Sequence, residues 1–230
     1  MPESNRRLAV VGGLGVYPAI RLSLPSRRLF AFLAVHGGAV ARAVAADQLW
    51  TDVAESQARA NLRRALWQSP AEWIDSAGDT LELSAEVDLA ALHAAASAAI
   101  DGGELTLDEI TGLSHDLLPG WHEEWVVPAQ EAFHLLRVQA LEAACLTMAE
   151  HGVHALATQA GTAALAADPL RESAAFALIH AHLLEGNRHA AAARFHAFAR
   201  ILEAELGVEP DPALADAVHA AVAAPAAGAA

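Results

Sequence analysis

The chain has 230 residues, 54% of them hydrophobic, and a formal net charge of −14. That is long enough for one large domain or two small ones, and too apolar for a chain that stays unfolded. The negative charge excludes a protein that coats DNA or an anionic membrane without specificity, yet permits recognition through one local basic face. In chain order, residues 8–16 and 20–24 are predicted as short strands. Gly12, Gly13 and Gly15 loosen the first, Tyr17-Pro18 turns the chain, and Arg21-Leu22-Ser23-Leu24 alternates as a half-buried strand does. Pro25-Ser26 then opens a helix with Leu29, Phe30, Leu33 and Ala34 on its apolar face, closed by Gly37-Gly38. A short helix follows over 43–50, and a third over 55–67 with Pro70 just past its end. Residues 73–83 predict a β-hairpin turning at Ala77-Gly78-Asp79.

Strand, strand, three helices and a hairpin is the layout of a winged helix-turn-helix. From residue 88 the signals are almost wholly helical. Candidates are 88–101, 104–111, 122–150, 152–167, 170–184, 187–206 and 211–223, punctuated by Gly120-Trp121, Gly152, Asp168-Pro169, Gly186-Asn187 and Gly207. The last four repeat at roughly 34–36 residues per pair, as stacked helical hairpins do. Charge divides at the same place: residues 1–88 hold 9 Arg against 10 acids, the remainder 5 Arg against 18. The expected organisation is a small α+β winged-helix domain over 1–87, a mostly α, tetratricopeptide-like domain over 88–223, and a low-complexity, disordered tail over 224–230.

The basic density centres on Ser56–Trp67, SQARANLRRALW. On a helix Ala60, Leu62, Leu66 and Trp67 can face a core while Arg59, Arg63, Asn61 and Arg64 project outward. Arg59 and Arg63 repel each other at this spacing, which a polyanionic partner would relieve. Arginine suits bidentate contact with phosphate or guanine, and asparagine with adenine. Arg27, Arg28 and Arg42 stand at helix starts as further phosphate contacts. The plain alternative is a solvated helix face in a lysine-free, arginine-using chain. The hairpin argues for that alternative, since Asp75, Asp79, Glu82 and Glu86 would repel phosphate.

No constellation in the sequence points to catalysis, so no enzyme, cofactor or metal is expected. The 12 His are scattered without ligand spacing. Gly12–Gly15 lacks the pattern and following Lys of a phosphate loop. Ser114-His115-Asp116, adjacent in one loop, has the wrong geometry for a triad. Cys145, the single cysteine, reads as a buried small side chain; with no intrachain disulfide possible, a reducing cytoplasm fits. The opening residues do not read as a secretory signal, and no Ala-rich run reads as a membrane span. Trp50 and Trp67 are expected in the winged-helix core, and Trp121 and Trp125, four apart on one helix face, at a helix junction.

Several stretches together resemble the actinobacterial antibiotic regulatory proteins (SARP), which join a winged-helix domain to a bacterial transcriptional activator domain. They are LAVVGGLGVY with RLSLPSRRLFAFLAVHGGAVARAVAADQLW, SQARANLRRALW, VDLAAL, LPGWHEEWVVPAQEAFHLLRVQALEAA, and above all ADPLRESAAFALIHAHLLEGNRHAAAARFHAFARILEAELGVEPDPAL. The resemblance covers nearly the whole chain. It implies a transcription activator that binds promoter repeats in double-stranded DNA, often as a homodimer, and recruits RNA polymerase, with helix 56–67 as the recognition helix. It also implies that Leu170, Arg171 and Glu172 form a packing signature, Arg171 pairing with an acid to tie two hairpins. In that family the recognition helix runs on through a second basic pair, whereas here Gln68-Ser69-Pro70 follows Trp67. The shortened helix and acidic hairpin keep a second reading open: a protein-interaction module acting through its acidic helical body.

Overall fold

A computed structural model describes residues 6–223 of the chain. The expected tail at 224–230 lies outside these residues. Contacts divide the chain into two compact units, Met1–His93 with His115–Phe133, and Ala94–Ser114 with His134–Ala230.

The first unit mixes strands and helices. Strands β1 (Arg7–Ala9) and β2 (Gly15–Tyr17) pair antiparallel, Leu8 opposite Val16. The single strand expected over 8–16 is thus a hairpin. Gly12 and Gly13 have φ of 76° and 136°, which side-chain-bearing residues rarely adopt, and they bend the chain back. The strand expected at 20–24 is absent. Ser23 instead caps α1 (Leu24–His36), its Oγ accepting from the Ser26 amide at 3.3 Å, with Pro25 in the first turn. Val40–Ala41 forms β3, followed by α2 (Arg42–Leu49) and α3 (Glu55–Trp67). The expected hairpin is present as β4 (Ile74–Asp75) and β5 (Thr80–Leu83), Ile74 opposite Leu83, with Gly78 at φ 59° in the turn. β3 joins its other edge, Val40 opposite Leu81. β6 (Glu86–Val87) returns parallel to β1.

The core of this unit lies between α1 and the hairpin. Phe30 and Trp73 are essentially inaccessible, with ring centroids 5.8 Å apart. Asp88 starts α4 (Asp88–Ile100), and its carboxylate accepts from the amides of Val10 and Val11 at 2.9 and 3.2 Å. Residues 115–133 fold back onto the same strands. Gly12 N–H donates to the Asp116 carbonyl, and Leu118 N–H to that of Val10, each at 2.8 Å. The Gln130 amide then holds the loop by donating to the carbonyls of Leu117 and Leu118 at 3.0 Å. Trp121 and Trp125 sit in this loop rather than on one helix face. They meet edge-on at 6.2 Å, and Trp125 meets Phe32 edge-on at 5.4 Å.

The second unit is helical. α5 (Leu107–Leu113) begins later than residue 104 because Thr106 and Glu109 form a capping box, the Thr106 amide donating to Glu109 at 2.8 Å. α6 (Val127–Glu150), α7 (His154–Ala167), α8 (Glu172–Leu184), α9 (Arg188–Leu206) and α10 (Pro212–Ala223) follow, the last four each packing on the next. Small residues permit that approach: α7 buries Ala157, Ala160, Gly161 and Ala164, one helical stripe. A β-carbon on Gly161 would lie 2.7 Å from Cys145 Sγ and 3.1 Å from Leu178 Cβ. Larger side chains fill the far end, where Ile179, Phe195, Leu214 and Val218 cluster. Arg171 pairs with Glu142 through Nε at 2.7 Å and a terminal nitrogen at 3.0 Å, and Ser173 Oγ donates to the same carboxylate at 2.7 Å. This joins the start of α8 to the middle of α6.

Candidate nucleic-acid interface

The site is built on α3. Ala58, Leu62 and Ala65 are buried, at spacings of four and three residues, and set which way the helix faces. Leu66, expected in the core, is half-buried at its edge, and Ala60, also expected there, is half-buried on the side of the helix away from it. Trp67, also expected in the core, is 85% exposed. It falls two residues after Ala65, on the opposite side of the helix, and the half-buried core place in this unit belongs to Trp50 and the fully buried one to Trp73.

A polar lock that the sequence did not announce fixes the helix end. Ser26, fully buried, donates through Oγ to the Ala65 carbonyl at 3.2 Å. Ser23 Oγ donates to Gln68 Oε1 at 2.8 Å, and Ser69 Oγ to the Ala65 carbonyl at 2.8 Å. The start of α1 is thereby tied to the end of α3, and Pro70 prevents another turn.

The expected contact residues are distributed unevenly. Arg63 and Arg64 are exposed, and among the described residues neither has an acidic partner. Arg59 is exposed and forms an ion pair with Glu55 one turn before it. Asn61 is half-buried and accepts from the Gln57 side chain at 3.0 Å. Arg42 is brought beside Arg63: both line a shallow cleft of about 320 Å³ with Leu66, Pro70, Ile74 and Ser76. Arg42 also braces the hairpin, its amide donating to the Asp79 carbonyl at 2.9 Å and its guanidinium to Ser76 Oγ. Arg27 is exposed on α1 and lines a different cleft with Leu14, Val16 and Ile20. Arg28 is engaged internally, donating to the Leu49 carbonyl at 2.8 Å and to Glu123 at 3.2 Å. Of the expected contact residues, Arg59, Arg63 and Arg64 are thus exposed on α3, half-buried Arg42 stands beside Arg63, and exposed Arg27 stands apart from them. The hairpin next to them exposes Asp75, Asp79 and Glu82, so the site is electrostatically divided.

Elsewhere the chemistry is structural. Burial pushes the Cys145 thiol up to about 12, which holds it protonated and unreactive. Gly12 and Gly13 shape a strand turn. Among the described residues no three His, Cys, Asp or Glu gather as a metal site, and no helix is long and apolar enough to cross a membrane.

A family model described as the bacterial transcriptional activator domain matches residues 81–222. No curated protein matches the chain. Among solved structures, Mycobacterium tuberculosis EmbR in complex with a low affinity phosphopeptide is similar over 95% of this chain, with 21% identity and a TM-score of 0.63. The chain spans 65% of the length of that protein. The likeness is one of fold: a small α+β unit followed by an extended helical one.

Proposed function

Because the chain belongs to the bacterial transcriptional activator domain family, we propose that it is a transcriptional regulator that binds promoter DNA through the outward side of α3. The observation that carries this reading is the pair Arg63 and Arg64, exposed without acidic partners among the described residues, on a helix rigidly tied to α1. Free guanidinium groups on a fixed helix can hold phosphates or take a guanine edge with two hydrogen bonds. In this reading Arg42, beside Arg63, and Arg27, at its separate cleft, add phosphate contacts, Arg59 exchanges Glu55 for phosphate, and Asn61 leaves its Gln57 contact to reach a base. Arg28 supports the scaffold through Leu49 and Glu123. The helical unit serves protein contacts, with RNA polymerase or a second protomer on the promoter, in the cytoplasm.

Replacing both residues, Arg63→Ala with Arg64→Ala, is the direct test. Affinity for a selected promoter duplex should fall about 100-fold, because each base or phosphate contact carries roughly 1–3 kcal/mol. Unchanged affinity in a variant with native circular dichroism would remove α3 as the recognition element. One observation favours a second reading. The exposed acids of the hairpin oppose DNA, so an interaction module working through the acidic helical body would bind no duplex even at low salt and would instead form a tight protein complex.

A further inference from the structure

Trp67 is the most exposed large apolar side chain among the described residues. Its position follows from the helix phase. With Ala58, Leu62 and Ala65 turned to the core, Trp67 stands about 170° from their mean direction, at 100° per residue. Arg63 and Arg64 flank it, about 40° to one side and about 60° to the other. Ser56 and Ala60 lie along the same line toward the start of the helix, and both are small. The outward side of α3 is thus a low ridge ending in an exposed indole, with Arg63 and Arg64 one turn before it on either side of its direction. This last turn is not a loose end: Gln68 and Ser69 are held by Ser23 and by the Ala65 carbonyl, each at 2.8 Å.

Leaving an indole in water forfeits the burial free energy that Trp73 obtains in the same unit. The flanking charges say what covers it. Two exposed arginines one turn before an exposed apolar ring fit a ligand that presents both anions and apolar faces, and duplex DNA offers phosphates at the groove edges and thymine C5-methyl groups on its floor. We infer that Trp67 contacts bases in the major groove, its indole packing on thymine methyl groups between phosphates held by Arg63 and Arg64. This rests on the DNA-binding reading above and adds to it an apolar element of sequence preference. An indole carries no charge, so it contributes nothing to the salt dependence that the arginines create.

The experiment uses the full chain and the duplex it selects most tightly from a randomised library. Trp67→Ala should weaken that duplex about tenfold, leaving the affinity for unselected duplex and the salt slope unchanged. Replacing the contacted thymidines by deoxyuridine, which lacks only the methyl group, should weaken the wild type about fivefold and Trp67→Ala not at all. The emission lost in Trp67→Phe isolates this indole from the other four, and adding duplex should shield it from acrylamide. If Trp67→Ala binds the selected duplex like the wild type while Arg63→Ala with Arg64→Ala does not bind it, the inference fails and the DNA-binding reading stands. Shielding of Trp67 that rises with protein concentration in the absence of DNA would assign the ring to a second copy and overturn the inference. A library that yields no bound duplex at about 50 mM salt overturns both.

Discussion

Breaking the Arg171–Glu142 pair from one side should cost more than breaking it from the other. The Glu142 side chain is 12% exposed and accepts three hydrogen bonds, two from Arg171 and one from Ser173, whereas that of Arg171 is 28% exposed. The hydrogen bonds to Glu142 raise the Arg171 guanidinium above its already high range, so it stays charged. Arg171→Ala strands a nearly buried carboxylate on one serine hydroxyl. Removing one partner of a buried pair costs about 3–5 kcal/mol, and the partial exposure here places the loss near 3 kcal/mol. Glu142→Ala releases Arg171 toward water and should cost about 2 kcal/mol, the worth of charge-assisted hydrogen bonds net of that solvation. The double variant should lose little more than Glu142→Ala alone, giving a coupling of about 3 kcal/mol. Urea unfolding followed by far-UV circular dichroism measures all three. Additive losses, or an Arg171→Ala loss within about 0.5 kcal/mol of zero, would show that the pair does not hold α6 and α8 together.

Gly161→Ala should destabilise by about 1–2 kcal/mol although alanine favours helix, because its β-carbon would meet Cys145 Sγ at 2.7 Å. Adding Cys145→Ala should recover part of the loss, with Leu178 preventing full recovery; thermal melts of the single and double variants decide. Burial raises the Asp88 carboxyl above 3.8, against the opposing hydrogen bonds from Val10 and Val11. The folded chain therefore keeps this proton to higher pH than the unfolded chain does, and stability falls as pH rises from 3.8 through the raised value. Asp88→Asn cannot titrate and should lack that component, which urea midpoints between about pH 3 and 6 would reveal; parallel curves would contradict it.

Local order was legible where one residue type decides the backbone. The hairpin turn at Gly78, the stop at Pro70 and the helix boundaries at Gly186-Asn187 and Gly207 all follow from conformational preference, and all are where they were expected. The misreading at 20–24 has a definite cause. Ile20, Leu22 and Leu24 alternate as a strand does, but Ser23 and Pro25 form a helix start, and a capped helix satisfies amides that a strand without a neighbour would leave open. β6 escaped notice because a parallel partner lies far away in sequence: Val87 pairs with Leu8. Size misled at Trp67. A tryptophan suggests a core, yet the phase set by Ala58, Leu62 and Ala65 decides, and it points the ring outward. The arginines of the candidate site were legible as a group but not in their engagements. Glu123, which takes up Arg28, lies 95 residues away, and no helical periodicity reports a contact of that kind.

The central claim is recognition of promoter DNA by a basic helix on an otherwise acidic protein. A salt titration of the wild-type chain against a labelled library of genomic promoter fragments tests it most directly. Selective retention of a few fragments is expected, with affinity falling about 10- to 150-fold between about 50 and 200 mM salt, the slope of two to four phosphate contacts. No retention at about 50 mM, or binding indifferent both to salt and to fragment sequence, would contradict it.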